Sequence, residues 1–228
     1  MADPAKRDAI LARMRQSLSV GADDAARRKT VKDRIRAHKP NLVPARAQLP
    51  HKKQVELFRE QAEAVQATVT RVARDDDVPA AVADYLRSQN LPQAIRHGDD
   101  PLINKLPWHK KAPTLELDQG IADPKDEVSL SHATVGVAET GTLVLTSGSD
   151  NPTTLNFLPE THIVVIKAGG ICGTYEDAWQ HLRKRDGERT LPRTVNMVTG
   201  PSRTGDIEQR IELGAHGPRR LHIIIIGN

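Results

Sequence analysis

Cysteine is nearly absent from this chain: Cys172 is the only one in 228 residues. No disulfide can form within the chain, which suits a reducing compartment, and one thiolate cannot hold a four-cysteine iron–sulfur cluster. Aromatic residues make up only 3% of the sequence. That leaves few platforms for stacking bases and argues against nucleic acid as the partner. Long apolar runs are missing too. Residues 163–166 and 223–226 are apolar but fall far short of the ~20 residues that cross a bilayer. Residues 1–7 are charged and lack the apolar stretch of a secretory signal. The expectation is a cytoplasmic protein with no membrane segment. Phosphate-loop, G-x-S-x-G and paired-cysteine motifs are also missing, so no standard ATPase, hydrolase or thiol-redox class is supported. His132, His162, His216 and His222 are scattered, without H-E-x-x-H or Cys/His spacing, so no metal site is expected.

What is present is unevenly spread. Residues 1–60 carry 15 Lys/Arg against 7 Asp/Glu, whereas the remainder carries 18 against 22. A basic arm on a mildly acidic body is most simply a solvated helical face. Asp3-Pro4 starts a helix carrying Ile10, Met14 and Leu18, and Gly21 stops it. A second basic helix is expected over residues 24–38, and Pro40, Pro44 and Pro50 then mark an extended linker. This divides the chain into a helical arm with linker, residues 1–50, and a main domain, residues 51–228.

Val55, Phe58, Ala62, Val65, Val69 and Val72 alternate spacings of three and four, predicting one amphipathic helix across all six. The stripe packs on the parent domain or forms a homo-oligomer seam, and the spacing leaves both open. Asp77-Val78-Pro79 opens a further helix with Val82, Tyr85 and Leu86. Short strands are expected at 93–97, 114–117, 135–137, 142–145, 163–167, 194–198 and 221–226, with a helix at 174–183. Uninterrupted apolar runs such as 163–166 belong to strands covered on both faces. Strands alternating with helices predict an α/β fold, a mostly parallel sheet flanked by helices, with an N-terminal helical arm.

Residues 199–208, TGPSRTGDIE, hold the densest candidate chemistry. Gly200 and Gly205 permit tight turns, while Ser202, Arg203 and Thr204 offer two hydroxyls and a cation. Asp206 and Glu208 follow at once and would fix Arg203. A strand leading through such a loop into a helix start makes a nest of N–H donors suited to phosphate or carboxylate. A plain capped helix start, with Glu208 at its third position, is the competing reading. Glu139, Thr140, Gly141 and Thr142 form a second candidate, with the Glu139 carboxylate either a general base or a solvated turn residue. Residues 146–151 are a third polar loop, equally a ligand wall or an ordinary turn. Residues 167–173 lack G-x-G-x-x-G spacing and read as a turn, with Cys172 an inert apolar residue. His216 either meets an anionic ligand or braces the turn at Gly217-Pro218.

The stretches AETGT (138–142), NFLPETHIVVIK (156–167), TYEDAWQHL (174–182), TGPSRTGDIE (199–208) and GAHGP (214–218) together resemble the LUD-domain family. The resemblance covers the chain from about Phe58 onward, more loosely in its first half. It implies a fold similar to the NagB/RpiA/CoA-transferase-like group. It also implies a role in oxidising L-lactate to pyruvate beside iron–sulfur partner proteins. On that basis Glu139 and His216 are candidate proton-transfer residues. Thr140, Gly141, Thr142, Gly200, Ser202, Arg203, Thr204, Asp206 and Glu208 are candidate binding residues for a small anionic ligand. No cofactor is named by any motif. Two other classes remain open: a stand-alone CoA- or nucleotide-dependent transferase or ligase, and a noncatalytic assembly protein.

Overall fold

The structure, a computed structural model, describes residues 4–19, 21, 24–187, 190–207 and 210–227, excepting the side chains of 206, 207, 210 and 211. The chain divides into two compact units, Met1–Leu42 and Val43–Asn228. The first holds two helices, α1 (Pro4–Ser17) and α2 (Ala25–Ala37), neither with a buried side chain. Asp24 starts α2 by accepting a hydrogen bond from the Arg27 N–H at 2.9 Å.

In the second unit, α3 (His51–Ala64) leads to β1 (Thr68–Val72), α4 (Val78–Ser88) and β2 (Ala94–His97). Two short helices, α5 (Pro101–Lys105) and α6 (Trp108–Lys111), precede β3 (Glu116–Gln119), β4 (Val128–His132) and β5 (Val135–Val137). Next come β6 (Thr142–Thr146), β7 (Thr161–Lys167), β8 (Ile171–Cys172), α7 (Tyr175–Asp186) and β9 (Val195–Val198). The chain closes through β10 (Arg203–Ile207), β11 (Arg210–Leu213) and β12 (Arg220–Ile226).

Six strands form one sheet in the order β1-β12-β7-β4-β2-β3, and every pairing within it is parallel. A mixed sheet, β8-β5-β6-β9, and the β10–β11 hairpin complete the strands. The expected α/β fold, a mostly parallel sheet flanked by helices, is the one observed. Central strand β7 shows why its sequence has no polar alternation. Ile163 and Val165 pack toward α4, α5 and α6, while Val164 and Ile166 pack toward α3 and β6. All four are fully buried, and such side chains contribute roughly 1.5–3 kcal/mol each. Strand β6 is buried on both faces too, with Leu143 and Leu145 on the parallel-sheet side and Val144 against Ala178 and Leu182 of α7. Among the described residues no helix is long and apolar enough to cross a membrane.

Two expected elements differ. The helix predicted across residues 55–72 ends at Ala64. Gln66 takes φ +72°, and the Ala67 N–H returns to the Ala62 carbonyl, turning the chain. Val69 and Val72 then enter β1, where β-branched residues fit a pleated surface beside β12. The helix start predicted within residues 199–208 is instead the β10–β11 hairpin, pairing Arg203 with Leu213 and Thr204 with Glu212. Cross-strand bonds satisfy this backbone, so no helix terminus follows the loop.

The end of α3 sits against two glycine turns. At Gly141 (φ +66°) an added Cβ would lie 2.3 Å from the Ala62 nitrogen, and at Gly200 (φ +71°) 2.4 Å from the Val65 carbonyl oxygen. Gly141→Ala and Gly200→Ala should therefore each lower stability by about 1–3 kcal/mol in urea unfolding. Gly169→Ala, whose Cβ meets nothing within 4 Å, should change it by less than about 0.5 kcal/mol.

Two buried histidines add a pH dependence. His222 stacks on Tyr85 with ring centroids 3.8 Å apart, and burial pushes it down to about 4. Burial pushes His162 down to about 3. Both stay neutral in the fold while the unfolded chain takes up protons near pH 6.5, so the fold loses stability as pH falls from 6.5 towards 4. The expected slope approaches about 2.7 kcal/mol per pH unit for the pair. Unfolding midpoints between pH 7.5 and 4.5 should show it, and His222→Gln should roughly halve it.

Candidate functional site

A cavity of about 360 Å³ opens beside the loop that follows β9. Its walls come from residues 197–203, 216–218, 156–157, and His162 and Leu221. His162 and Leu221 are the second residues of β7 and β12. The cavity therefore lies at the amino ends of these parallel strands.

The two loops that shape its mouth are tied together. Ser202 donates its backbone N–H to the Pro218 carbonyl at 2.8 Å and accepts at its own carbonyl from the Gly214 N–H at 3.0 Å. The Ser202 hydroxyl accepts from the His216 N–H at 3.3 Å. Arg203 and His216 are both exposed, and no hydrogen bond or ion pair engages the Arg203 guanidinium among the described residues. An anion at this mouth would meet the planar fork of guanidinium donors.

The closed end is polar in a different way. Asn156 is 1% exposed, yet neither Nδ2 nor Oδ1 of its amide has a hydrogen-bond partner. His162 is fully buried; its Nε2 lies 3.0 Å from the Ser131 hydroxyl, and its Nδ1 has no partner. Ser129 donates its hydroxyl to the Leu155 carbonyl at 2.6 Å, which anchors the turn presenting Asn156. A neutral imidazole offers one donor and one acceptor. Unpaired buried groups of this kind cost roughly 1–3 kcal/mol each.

The structure gathers Gly200, Ser202, Arg203 and His216 around one cavity. Thr142 reaches its edge indirectly: its hydroxyl lies 2.6 Å from that of Thr199, a lining residue. Thr140 and Tyr175 extend the same network, with Tyr175 OH 3.0 Å from Thr140 Oγ1 and 2.8 Å from Thr142 Oγ1. Glu139 does not line the cavity. It is 5% exposed, and its Oε1 accepts from the Tyr175 N–H at 3.0 Å, the first residue of α7. A carboxylate there complements the positive end of the helix. Gly141 serves the contact with α3, and Thr204 is buried on the hairpin away from the lining set. The Asp206 side chain and Glu208 lie outside the described residues. The loop at 146–151 does not line the cavity either.

Asn156 and His162 were not singled out as site residues from sequence, although a signal existed: His162 interrupts a run whose other inward positions are apolar. Cys172, held by burial at about 12, stays a thiol. Among the described residues no cluster of three His, Cys, Asp or Glu has metal-binding geometry. Because the Asn156 amide is unpaired, Asn156→Leu should leave thermal stability unchanged or raise it, within about 1 kcal/mol. Differential scanning fluorimetry of the two proteins checks this.

Residues 125–226 match the LUD domain model. Lactate utilization protein C of Shouchella clausii is 29% identical over 120 residues, covering 52% of this chain and 51% of that protein. The protein of that name from a Geobacillus strain is 32% identical over 100 residues, 43% of this chain and 42% of its own length. An uncharacterised protein of Neisseria meningitidis is 29% identical over 154 residues, 64% of each chain. The matched segment thus spans about half the length of the lactate utilization relatives. A crystal structure of a DUF162 family protein from Deinococcus radiodurans superposes with a TM-score of 0.57 at 20% identity, covering 78% of this chain and 99% of that one. The likeness to that structure is one of fold. The family model and these relatives agree: residues 125–226 match the LUD domain, and the chain resembles lactate utilization protein C.

Proposed function

We propose that this chain is a cytoplasmic component of an L-lactate utilization system. It supports oxidation of L-lactate to pyruvate together with iron–sulfur partner proteins and binds a small anionic ligand through its LUD domain. The observation that carries the reading is the cavity at the 199–203 loop, whose walls include the cationic Arg203 beside Ser202 and His216. The names borne by its relatives supply the pathway. With a single cysteine the chain cannot ligate a cluster by itself, so electrons leave through partners or a bound group. In this reading Arg203 and Ser202 hold the anion, His216 is the candidate proton-transfer residue beside it, and the Thr140–Thr142–Tyr175–Thr199 hydroxyls set the loop.

The test is genetic and biochemical together. Deleting the gene should abolish growth on L-lactate, and the wild-type gene should restore it. Arg203→Ala, an exposed change, should fold normally yet fail to restore growth. Loss of a charge-assisted contact worth roughly 1.5–3 kcal/mol weakens ligand affinity about 10- to 100-fold. Growth of the Arg203→Ala strain at the wild-type rate would overturn the reading.

A further inference from the structure

The cavity is chemically graded, and its closed end is not built for lactate. At the mouth stand the exposed Arg203 and His216; at the closed end stand the amide of Asn156 and the imidazole of His162, both neutral. Burial holds His162 near 3, so no positive charge forms there at neutral pH. A carboxylate gains its charged partner at the mouth and meets only neutral groups further in. Lactate has only six non-hydrogen atoms. A space of about 360 Å³ equals roughly a dozen waters at ~30 Å³ each, so lactate at the mouth leaves the interior unfilled. Phe157, Met197, Val198 and Leu221 add apolar lining. The unpaired atoms of Asn156 and His162 are sealed from bulk water. Reaching them takes side-chain adjustment, for which Phe157 and Met197, both more than a third exposed, have room.

We infer that this cavity accepts a heteroaromatic ligand bearing an anionic group, of mononucleotide class, with its ring's donor–acceptor edge on Asn156 and its phosphate or carboxylate on Arg203. The inference deepens the anion-binding reading above and rests on it. A side-chain amide presents a donor and an acceptor side by side, the pattern that pairs with the edge of a nucleobase, a cyclic imide or a ring carboxamide. His162 Nδ1 supplies one further neutral hydrogen bond, and the apolar lining residues suit a ring. Occupancy would satisfy three buried polar atoms that the protein leaves unpaired.

Calorimetric titration of the full chain with flavin mononucleotide, nicotinamide mononucleotide and adenosine monophosphate tests this, with L-lactate, pyruvate and inorganic phosphate as controls. At least one mononucleotide should bind the wild type. Asn156→Leu should weaken that binding tenfold or more while remaining folded, and Arg203→Ala should weaken it comparably. Inorganic phosphate should respond to Arg203→Ala but not to Asn156→Leu. Three results would each overturn the inference: no mononucleotide binding, binding unchanged in Asn156→Leu, or lactate binding that itself requires Asn156. Scoring both variants for growth on L-lactate separates the two readings. Asn156-dependent binding with normal growth of Arg203→Ala sinks the pathway reading alone. Loss of growth in Arg203→Ala without Asn156-dependent binding sinks this one alone.

Discussion

Close packing of the end of α3 against two glycine turns is the constraint on which the rest of the domain depends. Gly141 meets the backbone of Ala62, and Gly200 meets the carbonyl of Val65, each at a distance that excludes any Cβ. Both glycines have positive φ, so the turns they make are ones that L side chains resist. One helix end thereby sets the position of two loops almost sixty residues apart. The first carries Glu139 and the threonines of the hydroxyl network; the second carries Ser202 and Arg203. Their remaining freedom is removed by the 2.6 Å contact between Thr142 and Thr199.

Around that anchor the layers build outward by burial. Strands β7 and β12 present apolar residues on both faces, one set to α4, α5 and α6 and the other to α3 and the mixed sheet. Helix α7 covers the mixed sheet from its far side. It begins at Thr174, whose side chain exchanges hydrogen bonds with Asp177 in a capping box. Glu139 adds a carboxylate at the same helix start. Its engagement there ties the second candidate motif to the architecture of the mixed sheet.

One group of buried polar residues inside this apolar frame leads to the cavity. Ser129, Ser131 and His162 lie on neighbouring strands, with Ser129 directly opposite His162 in register. They end at Asn156, where the cavity begins. Natural interiors pair nearly all their buried polar atoms. Two residues that line one cavity, Asn156 and His162, carry unpaired atoms, which marks a place where packing alone did not select the residues. The exposed cation at the other end gives the same cavity a charged entrance and a neutral interior.

The sequence by itself determined the elements whose burial pattern is local. The double-sided apolar runs of β7 and β12, the capped start at Thr174 and the αβ alternation are all readable one segment at a time. The parallel order of the sheet followed from that alternation. The sequence also carried the family motifs, and with them the loop at 199–203. It misled where helix and strand periodicities overlap: valines at 65, 69 and 72 fit a helical stripe until Gln66 turns the chain and the β1–β12 pairing claims the last two. It misled again at 203–213, where hairpin pairing of Arg203 with Leu213 and Thr204 with Glu212 takes up a backbone that turn signals assign to a helix start. Only the tertiary structure decided that Asn156 and His162 share a cavity with Arg203 and His216, and that Glu139 faces a helix terminus instead. These are contacts between segments dozens of residues apart, set by which faces pack together, and no local spacing encodes them.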